Sequence, residues 1–252
     1  EPRRGQEGRM IRMKIAFALR LVDDFSGQCI RKGGILFSSG GKVVHPVEKA
    51  EGLYIFLEPQ ERETRVFIEG PDYHACSVLV QKELLDPEEP VADVRMHLLP
   101  GREHSRLRGW LTGSIEAASM KTVSMEAEKE FPVEVYAKKS SPTGLAFREC
   151  QHVEGGCWAS FQGFTKEKLT GRTYVLDDGN LQAPFVIVEK RGINEYRIEP
   201  LGISPDKIRA GTPLVRLYRS VTDRRGVYAI PVDAGEEDHI TEVRILQHTS
   251  PS

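Results

Sequence analysis

Long apolar runs are missing from this 252-residue chain. The best candidate, Ile15 to Val22, is broken by Arg20 and falls well short of the roughly 18–20 residues a membrane helix needs. Met13-Lys14 precede it in the manner of a signal peptide. No small-residue cleavage site follows, and the stretch runs straight into a strand-like pattern, so that reading is rejected. Membrane insertion is not expected. An excess of positive charge is missing too. Lys and Arg number 35 against 37 Asp and Glu, for a net charge of −2. The two signs are interspersed, whereas a nucleic-acid binder shows a basic excess or a clustered basic patch. Nucleic acid is therefore not an expected partner. Cysteine is scarce, with Cys29, Cys76, Cys150 and Cys157 the four present. That is not a disulfide framework. Cys150 and Cys157 flank QHVEGG, a loop short enough to be closed by a disulfide. Reduced thiols are the preferred reading, and a cytoplasmic location is favoured over a secreted one. The chain opens on Glu1 rather than Met, which leaves location open.

Catalytic signatures are absent as well. There is no Gly-x-Ser-x-Gly elbow, no HExxH and no glycine-rich phosphate loop between a strand and a helix. Gly155-Gly156-Cys157-Trp158 resembles a nucleophile-bearing loop only loosely, and His152 is too near in sequence to be persuasive as its base. Cys150-x-His152-x4-Cys157 offers three zinc-type ligands in the spacing of no common knuckle, without a fourth. His74 and Cys76 form a thinner pair. Asp23-Asp24 and Asp177-Asp178-Gly179-Asn180 cluster carboxylates, but neither follows the spacing of a calcium loop. A hairpin turn accounts for both. No metal, no cofactor and no catalytic residue is expected.

What the chain does have is turns and short alternations. Fifteen prolines and 23 glycines are spread along it, and the composition of 39% hydrophobic and 29% charged residues is that of a globular protein. Residues 1 to 12 are charged and aperiodic, and read as a flexible arm. A first strand is predicted over Lys14 to Asp23, with Ile15, Phe17, Leu19 and Leu21 on one face. Asp24-Phe25-Ser26-Gly27 is a turn. The stretch Gln28 to Phe37 contains the next strand; further strands follow at Val43 to Val47 (demoted to an edge by Pro46), at Leu53 to Leu57 and at Thr64 to Glu69, and Ala75 to Gln81 leads out. Ser38-Ser39-Gly40-Gly41 reads as a hairpin tip.

Three of these stretches carry a resemblance. Val22-Asp23-Asp24-Phe25-Ser26-Gly27-Gln28-Cys29-Ile30, Glu51-Gly52-Leu53-Tyr54-Ile55-Phe56-Leu57 and Phe67-Ile68-Glu69-Gly70-Pro71-Asp72-Tyr73 are similar to successive motifs of the carboxypeptidase regulatory-like domain. Cys29 stands where proline is usual, and Glu51 where aspartate is usual. The resemblance covers residues of about 15–82, a quarter of the chain. It implies a seven-stranded prealbumin/Ig-like sandwich that serves as a structural or recognition module, with no catalytic residues to carry over.

LLDPEEP is acidic, holds two prolines and reads as a domain edge. Val91 to Leu99 alternates loosely, as an added edge strand or a tether. Further strands are predicted at Leu107 to Ile115, Thr122 to Met125, Phe131 to Ala137, Thr173 to Leu176, Phe185 to Val188, Glu195 to Ile198, Leu214 to Tyr218, Val227 to Val232 and Glu242 to Leu246. Their spacing of about ten to twelve residues is that of a sandwich or barrel. Lys138 to Thr143 reads as a polar loop. Ser204 to Ala210 reads as one helical turn, capped by Ser204 and stopped by Gly211. Cys157 to Phe164 (CWASFQGF) is aromatic but without clear strand periodicity, and reads as a loop. Trp158, Phe161 and Phe164, with Trp110, are the candidate contacts to a partner or ligand; burial under the second domain is the preferred alternative for the loop.

The expectation is an all-β protein: an arm over 1–12, a sandwich over 13–84, a linker or edge strand over 85–104, and a second β-sandwich or β-barrel domain over 105–248. The expected role is non-enzymatic, as a structural or adaptor subunit binding other protein subunits through sheet edges and loops. A bacterial tail-like or surface apparatus would use such a part. Two alternatives stay open: a secreted or cell-surface ligand-binding protein, with a glycan as possible ligand, and a hydrolase that gathers His152 or His97 with carboxylates.

Overall fold

Alternation of period two governs the chain, and the computed structural model realises it as eighteen β-strands with no α-helix among the described residues. These are residues 15–31, 33–57, 62–100, 108–114, 133–153, 156–177, 184–200, 208–233 and 240–245. The expected helical turn at Ser204 to Ala210 and the expected strand at Thr122 to Met125 lie wholly or mostly outside them.

By its contacts the chain divides into two compact units. One takes Glu1–Val22, Cys29–Pro71 and Ala75–Val94; the other takes Asp23–Gln28, Asp72–His74 and Arg95–Ser252. The division thus falls inside the strand that begins at Val91, not in the acidic stretch before it. The turn after the first strand and the turn at Asp72 belong by contact to the second unit.

The first unit holds β1 (Ile15–Asp23), β2 (Leu36–Ser39), β3 (Lys42–Val44), β4 (Val47–Lys49), β5 (Leu53–Leu57), β6 (Glu63–Gly70), β7 (Tyr73–Gln81) and β8 (Val91–Met96). They form two four-stranded sheets, ordered β4-β5-β1-β8 and β3-β2-β6-β7. Alternate residues face inward: Phe17, Leu19 and Leu21 from β1, Tyr54 and Phe56 from β5, Val66 and Ile68 from β6. Phe37 of the second sheet packs on Tyr54 and Phe56 of the first, at ring-centroid distances of 4.7 and 5.6 Å. These contacts give the two sheets a common core, in a sandwich-like arrangement.

Three expectations need correction or refinement here. The strand expected within Gln28 to Phe37 begins only at its end, as Leu36–Ser39, with a single bridge from Cys29 to Val22 upstream. Gly33-Gly34 interrupts the stretch, and Gly34 lies at φ +90°, where an L side chain is disfavoured. The stretch Val43 to Val47 is two strands in different sheets, β3 and β4. The chain changes sheet at His45-Pro46, where proline has no N–H to give to a ladder. Val91 to Leu99 enters as the edge strand β8 beside β1. Elsewhere the local chemistry is decisive. Gly52 sits at φ +69°, and a Cβ there would meet the Ile30 carbonyl oxygen.

The second unit holds β9 (Arg108–Ser114), β10 (Glu134–Lys139), β11 (Leu145–Val153), β12 (Gly156–Gly163), β13 (Thr173–Leu176), β14 (Phe185–Gly192), β15 (Glu195–Pro200), β16 (Leu214–Val221), β17 (Val227–Asp233) and β18 (Ile240–Ile245). Eight of them form one sheet in the order β11-β12-β15-β14-β13-β16-β10-β18. The sheet curls until its first strand meets the residues before β16. There the Phe147 N–H donates to the Thr212 carbonyl at 2.8 Å, the Gly211 N–H to Phe147 at 2.7 Å, and the Thr143 N–H to Leu214 at 2.9 Å. Inside the curl lie Leu145, Phe147, Cys157, Ala159, Phe161, Tyr174, Leu176, Phe185, Ile187, Tyr196, Ile198 and Leu214. The hairpin-like pair β9–β17 supplies Ile230 and Val232 to a second core with Val135, Ala137 and Tyr218. Strand β16 serves both: Leu214 faces the first core and Tyr218 the second.

Two strands here were not legible as such. Leu145–Val153 was not expected as a strand, and Cys157 to Phe164 was expected as a loop. The latter is β12, with Cys157, Ala159 and Phe161 pointing inward and Trp158 and Ser160 outward. Two of its three inward residues are small, and its largest side chain points out, which hides the alternation from a hydrophobicity count.

Candidate functional site

Four charged residues of the second unit, with His97, converge at one largely buried place. Asp24 enters from the turn after β1, Arg95 and His97 from β8 and the residue after it, Arg219 from β16 and Glu134 from β10. Arg95 donates its Nε–H to Asp24 Oδ1 at 2.5 Å, and Arg219 Nη1 lies 3.3 Å from the same oxygen. Arg219 donates through Nη2 to Glu134 Oε2 at 2.9 Å, and Arg95 through Nη2 to the Gly171 carbonyl at 2.7 Å. Burial acts to raise the Asp24 pKa, but the guanidiniums of Arg219 and Arg95 outweigh it and hold the carboxyl far below the ordinary carboxylate range. His97 Nδ1 sits 3.7 Å from Asp24 Oδ2. Burial, only partly offset by Asp24, lowers the His97 pKa, so its ring is neutral at pH 7. His97 is therefore gathered with carboxylates, but at a buried ionic cluster rather than in the pocket the hydrolase alternative called for. Both carboxylates are engaged by guanidiniums, an arrangement that ties segments together.

Beside it, Arg216 is buried with its guanidinium among the rings of Phe25, Tyr174 and Tyr218, at 5.9, 5.7 and 5.1 Å from their centroids. It donates to the Phe25 carbonyl at 2.9 Å. Such contacts fasten the Asp23–Gln28 segment within its unit.

The four aromatic candidates are dispersed. Phe161 points into the curled sheet, against Phe147 and Tyr196. Phe164 is 74% exposed at the strand's end. Trp110 lies half-buried on β9 opposite Pro231. Trp158 faces outward beneath the guanidinium of Arg191, 4.4 Å from its ring centroid. It lines an open groove of about 290 Å³ with Glu149, Gln151, Ser160, Arg191 and Glu195. Arg191 also pairs with Glu195 at 3.3 Å, so the cation held on the ring is already partnered.

All four cysteines are free thiols. The register sets Cys150 opposite Ala159 and His152 opposite Cys157, with Cys157 turned into the core. Among the described residues no three His, Cys, Asp or Glu side chains group as metal ligands. Burial pushes the Cys76 thiol up to about 11. Four thiols are expected to react with a disulfide reagent in denaturant without reductant. In the native protein at pH 8, Cys76 and Cys157 are expected to stay silent; mass mapping of the labelled cysteines checks both statements, and a count of two in denaturant would restore the Cys150–Cys157 bridge.

The surface that stands out belongs to the first unit. On β6 the residues Val66 and Ile68 are fully buried, as alternation demands, yet Phe67 between them is also apolar and faces out. The register sets Phe67 beside Ser38 of β2, which sits beside Val43 of β3. Leu36 lies on the same outer face, opposite Glu69. On the other side, the Lys82 N–H donates to the Arg62 carbonyl at 3.2 Å and Gln81 Nε2 to Glu63 Oε1 at 2.7 Å. Alternation leaves Ala75, Ser77 and Leu79 exposed on the outer face of β7; extending the pairing at this end along the strands sets Leu79 beside Arg65, Ser77 beside Phe67 and Ala75 beside Glu69. Leu36, Val43, Phe67 and Leu79 are exposed by 60%, 65%, 45% and 44%. One large apolar side chain from each of four neighbouring strands therefore faces solvent on one sheet face, which soluble surfaces rarely leave uncovered without use. The signal was present in the sequence as unbroken apolar triplets, VFI and VLV, where half-buried strands should alternate.

Comparison with protein-family models, with curated proteins and with solved structures finds no match to this chain.

Proposed function

We propose that this chain is a non-enzymatic structural or adaptor subunit of a larger protein assembly, docked through the outer face of the sheet β3-β2-β6-β7. The observation that carries the reading is the set Leu36, Val43, Phe67 and Leu79, one from each of four adjacent strands and all solvent-facing on one side of the sheet. Fully burying such a side chain is worth about 1.5–3 kcal/mol, and these are about half exposed, so a partner that covers the set gains several kcal/mol. The resemblance of residues of about 15–82 to the carboxypeptidase regulatory-like domain is in keeping with the same reading, because it implies a structural or recognition module. The ionic cluster around Asp24 supports it from the other side, because both of its carboxylates are held by guanidiniums, as in a fastening between segments.

The test is purification of the tagged chain from its native source beside a Phe67→Glu variant. The wild type is expected to bring fixed-stoichiometry protein partners, counted by native mass spectrometry. The variant is expected to lose them while keeping its melting temperature, since Phe67 faces solvent. A wild-type chain that elutes alone, or partners indifferent to Phe67→Glu, would remove the reading.

A further inference from the structure

We infer that the occupant of this face is a second copy of the same chain, in a two-fold dimer whose axis runs across the strands through Phe67. The inference rests on the assembly reading of the same face and names its partner.

The argument is one of self-complementarity. Phe67 is flanked on its own strand, two residues either way and on the same face, by Arg65 and Glu69, both exposed. A two-fold axis lying in the face and perpendicular to β6 superposes a second β6 antiparallel on the first. Phe67 then meets its own copy, Arg65 meets Glu69 of the partner subunit, and Glu69 meets the partner's Arg65. The neighbouring strands obey the same operation. In β2, Leu36 pairs with Glu69 and Ser38 with Phe67, and the pairing ends at Ser39 beside Val66, where the turn at Gly40-Gly41 begins. The axis lays Leu36 toward the partner's turn after Ser39. In β7 it lays Leu79 over the partner's Ala75, by the register already derived. Ser38, Ser77 and Val43 lie on the axis and meet their own copies. The large apolar side chains off the axis thus avoid one another, and Arg65 and Glu69 each find the opposite charge. An isologous interface requires this of a single patch. The alternative axis, along β6, would set Arg65 against Arg65 and Glu69 against Glu69, which like-charge repulsion disfavours.

Size sets the expected strength. Strands of 3, 4, 8 and 9 residues, at about 3.4 Å rise and about 4.8 Å spacing, make a face of about 400 Å² in plan. Two such faces bury about 800 Å², the size of a weak, transient contact. A weak dimer with a dissociation constant of about 100 micromolar is expected, in which Phe67 at the centre dominates.

Sedimentation equilibrium of the full chain from low micromolar to several hundred micromolar is the experiment. The wild type is expected to move from 28.3 kDa toward twice that mass. Phe67→Glu is expected to weaken association by about 30-fold or more. Arg65→Glu alone sets two acids against each other and is expected to weaken it about tenfold. The double variant Arg65→Glu/Glu69→Arg restores opposite charges across the axis and is expected to recover wild-type association. Melting curves for all variants should coincide with the wild type. A wild type monomeric throughout, or a double variant no better than Arg65→Glu, overturns the inference. If the chain is monomeric and Phe67→Glu still sheds other proteins in the native purification, the dimer fails and the assembly reading stands. If neither measurement responds to Phe67, both fail.

Discussion

Replacing Asp24 by alanine is expected to cost about 3–5 kcal/mol of folding stability, the usual result of removing one partner from a buried ionic set. The side chain of Asp24 is 3% exposed, and those of Arg95 and Arg219 are 18% and 8% exposed. Without the carboxylate, two largely buried guanidiniums lose the anion they share. Glu134, 2.9 Å from Arg219, compensates only one of them. For a chain of this length, a loss of that size lowers the melting temperature by about 6–20 °C. Asp93 offers the contrast. It pairs with Arg20 at 3.5 Å, with side chains 56% and 38% exposed, and Asp93→Ala is expected to stay within about 0.5 kcal/mol. Chemical denaturation of the two variants side by side checks the pair of statements. An Asp24→Ala loss below about 1 kcal/mol would mean that desolvation already cancels the cluster's attraction.

The second large effect is expected at Gly27. It lies at φ +68°, and a Cβ there would strike the backbone of Gly171. Gly171, at φ +84°, is equally committed, because its own Cβ would come within 2.8 Å of the Gly27 Cα. The two backbones touch where side chains have no room, and the Gly171 carbonyl accepts the hydrogen bond from Arg95. Gly27→Ala is expected to cost about 3 kcal/mol, the sum of a left-handed backbone penalty and a steric displacement. Gly41 separates these two causes. It has φ +75°, but a Cβ there would meet nothing within 4 Å, so Gly41→Ala should cost about 1 kcal/mol from backbone strain alone. Equal melting temperatures for the two variants would mean that the close approach of Gly27 and Gly171 contributes nothing.

Strand positions were largely legible from residue order, because they follow from local chemistry. Period-two alternation marks a chain with one dry and one wet face. Proline and glycine mark where a ladder has to stop. Ile15–Asp23, Leu53–Leu57, Glu63–Gly70 and Val227–Asp233 all fall close to the expected places. The exceptions are instructive. In β12 the inward positions hold Cys157 and Ala159 while the large Trp158 faces out, so size and burial are inverted and the alternation disappears from view. At Pro46 one apparent strand belongs to two sheets, a distinction that depends on what each half lies beside.

The candidate sites were much less legible, and the reason is separation along the chain. Asp24 bonds to Arg95 across 71 positions and to Arg219 across 195. Nothing near Asp24 distinguishes it from an ordinary turn aspartate. Its partners sit in strands where an arginine would be expected to face water. The near-neutral total of charges conceals the cluster for the same reason, since opposite signs cancel in a sum wherever they lie. The apolar face had a local trace in the triplets around Phe67 and Val78-Leu79, but a triplet says only that both faces of a strand are apolar. Whether Leu36, Val43, Phe67 and Leu79 share one surface depends on the register of four strands. Residue order thus specifies all-β architecture, the turns and most strands, because each of these is decided within a few residues. Sheet order, register and the meeting of charges were decided by packing, because they depend on which distant segments bury each other.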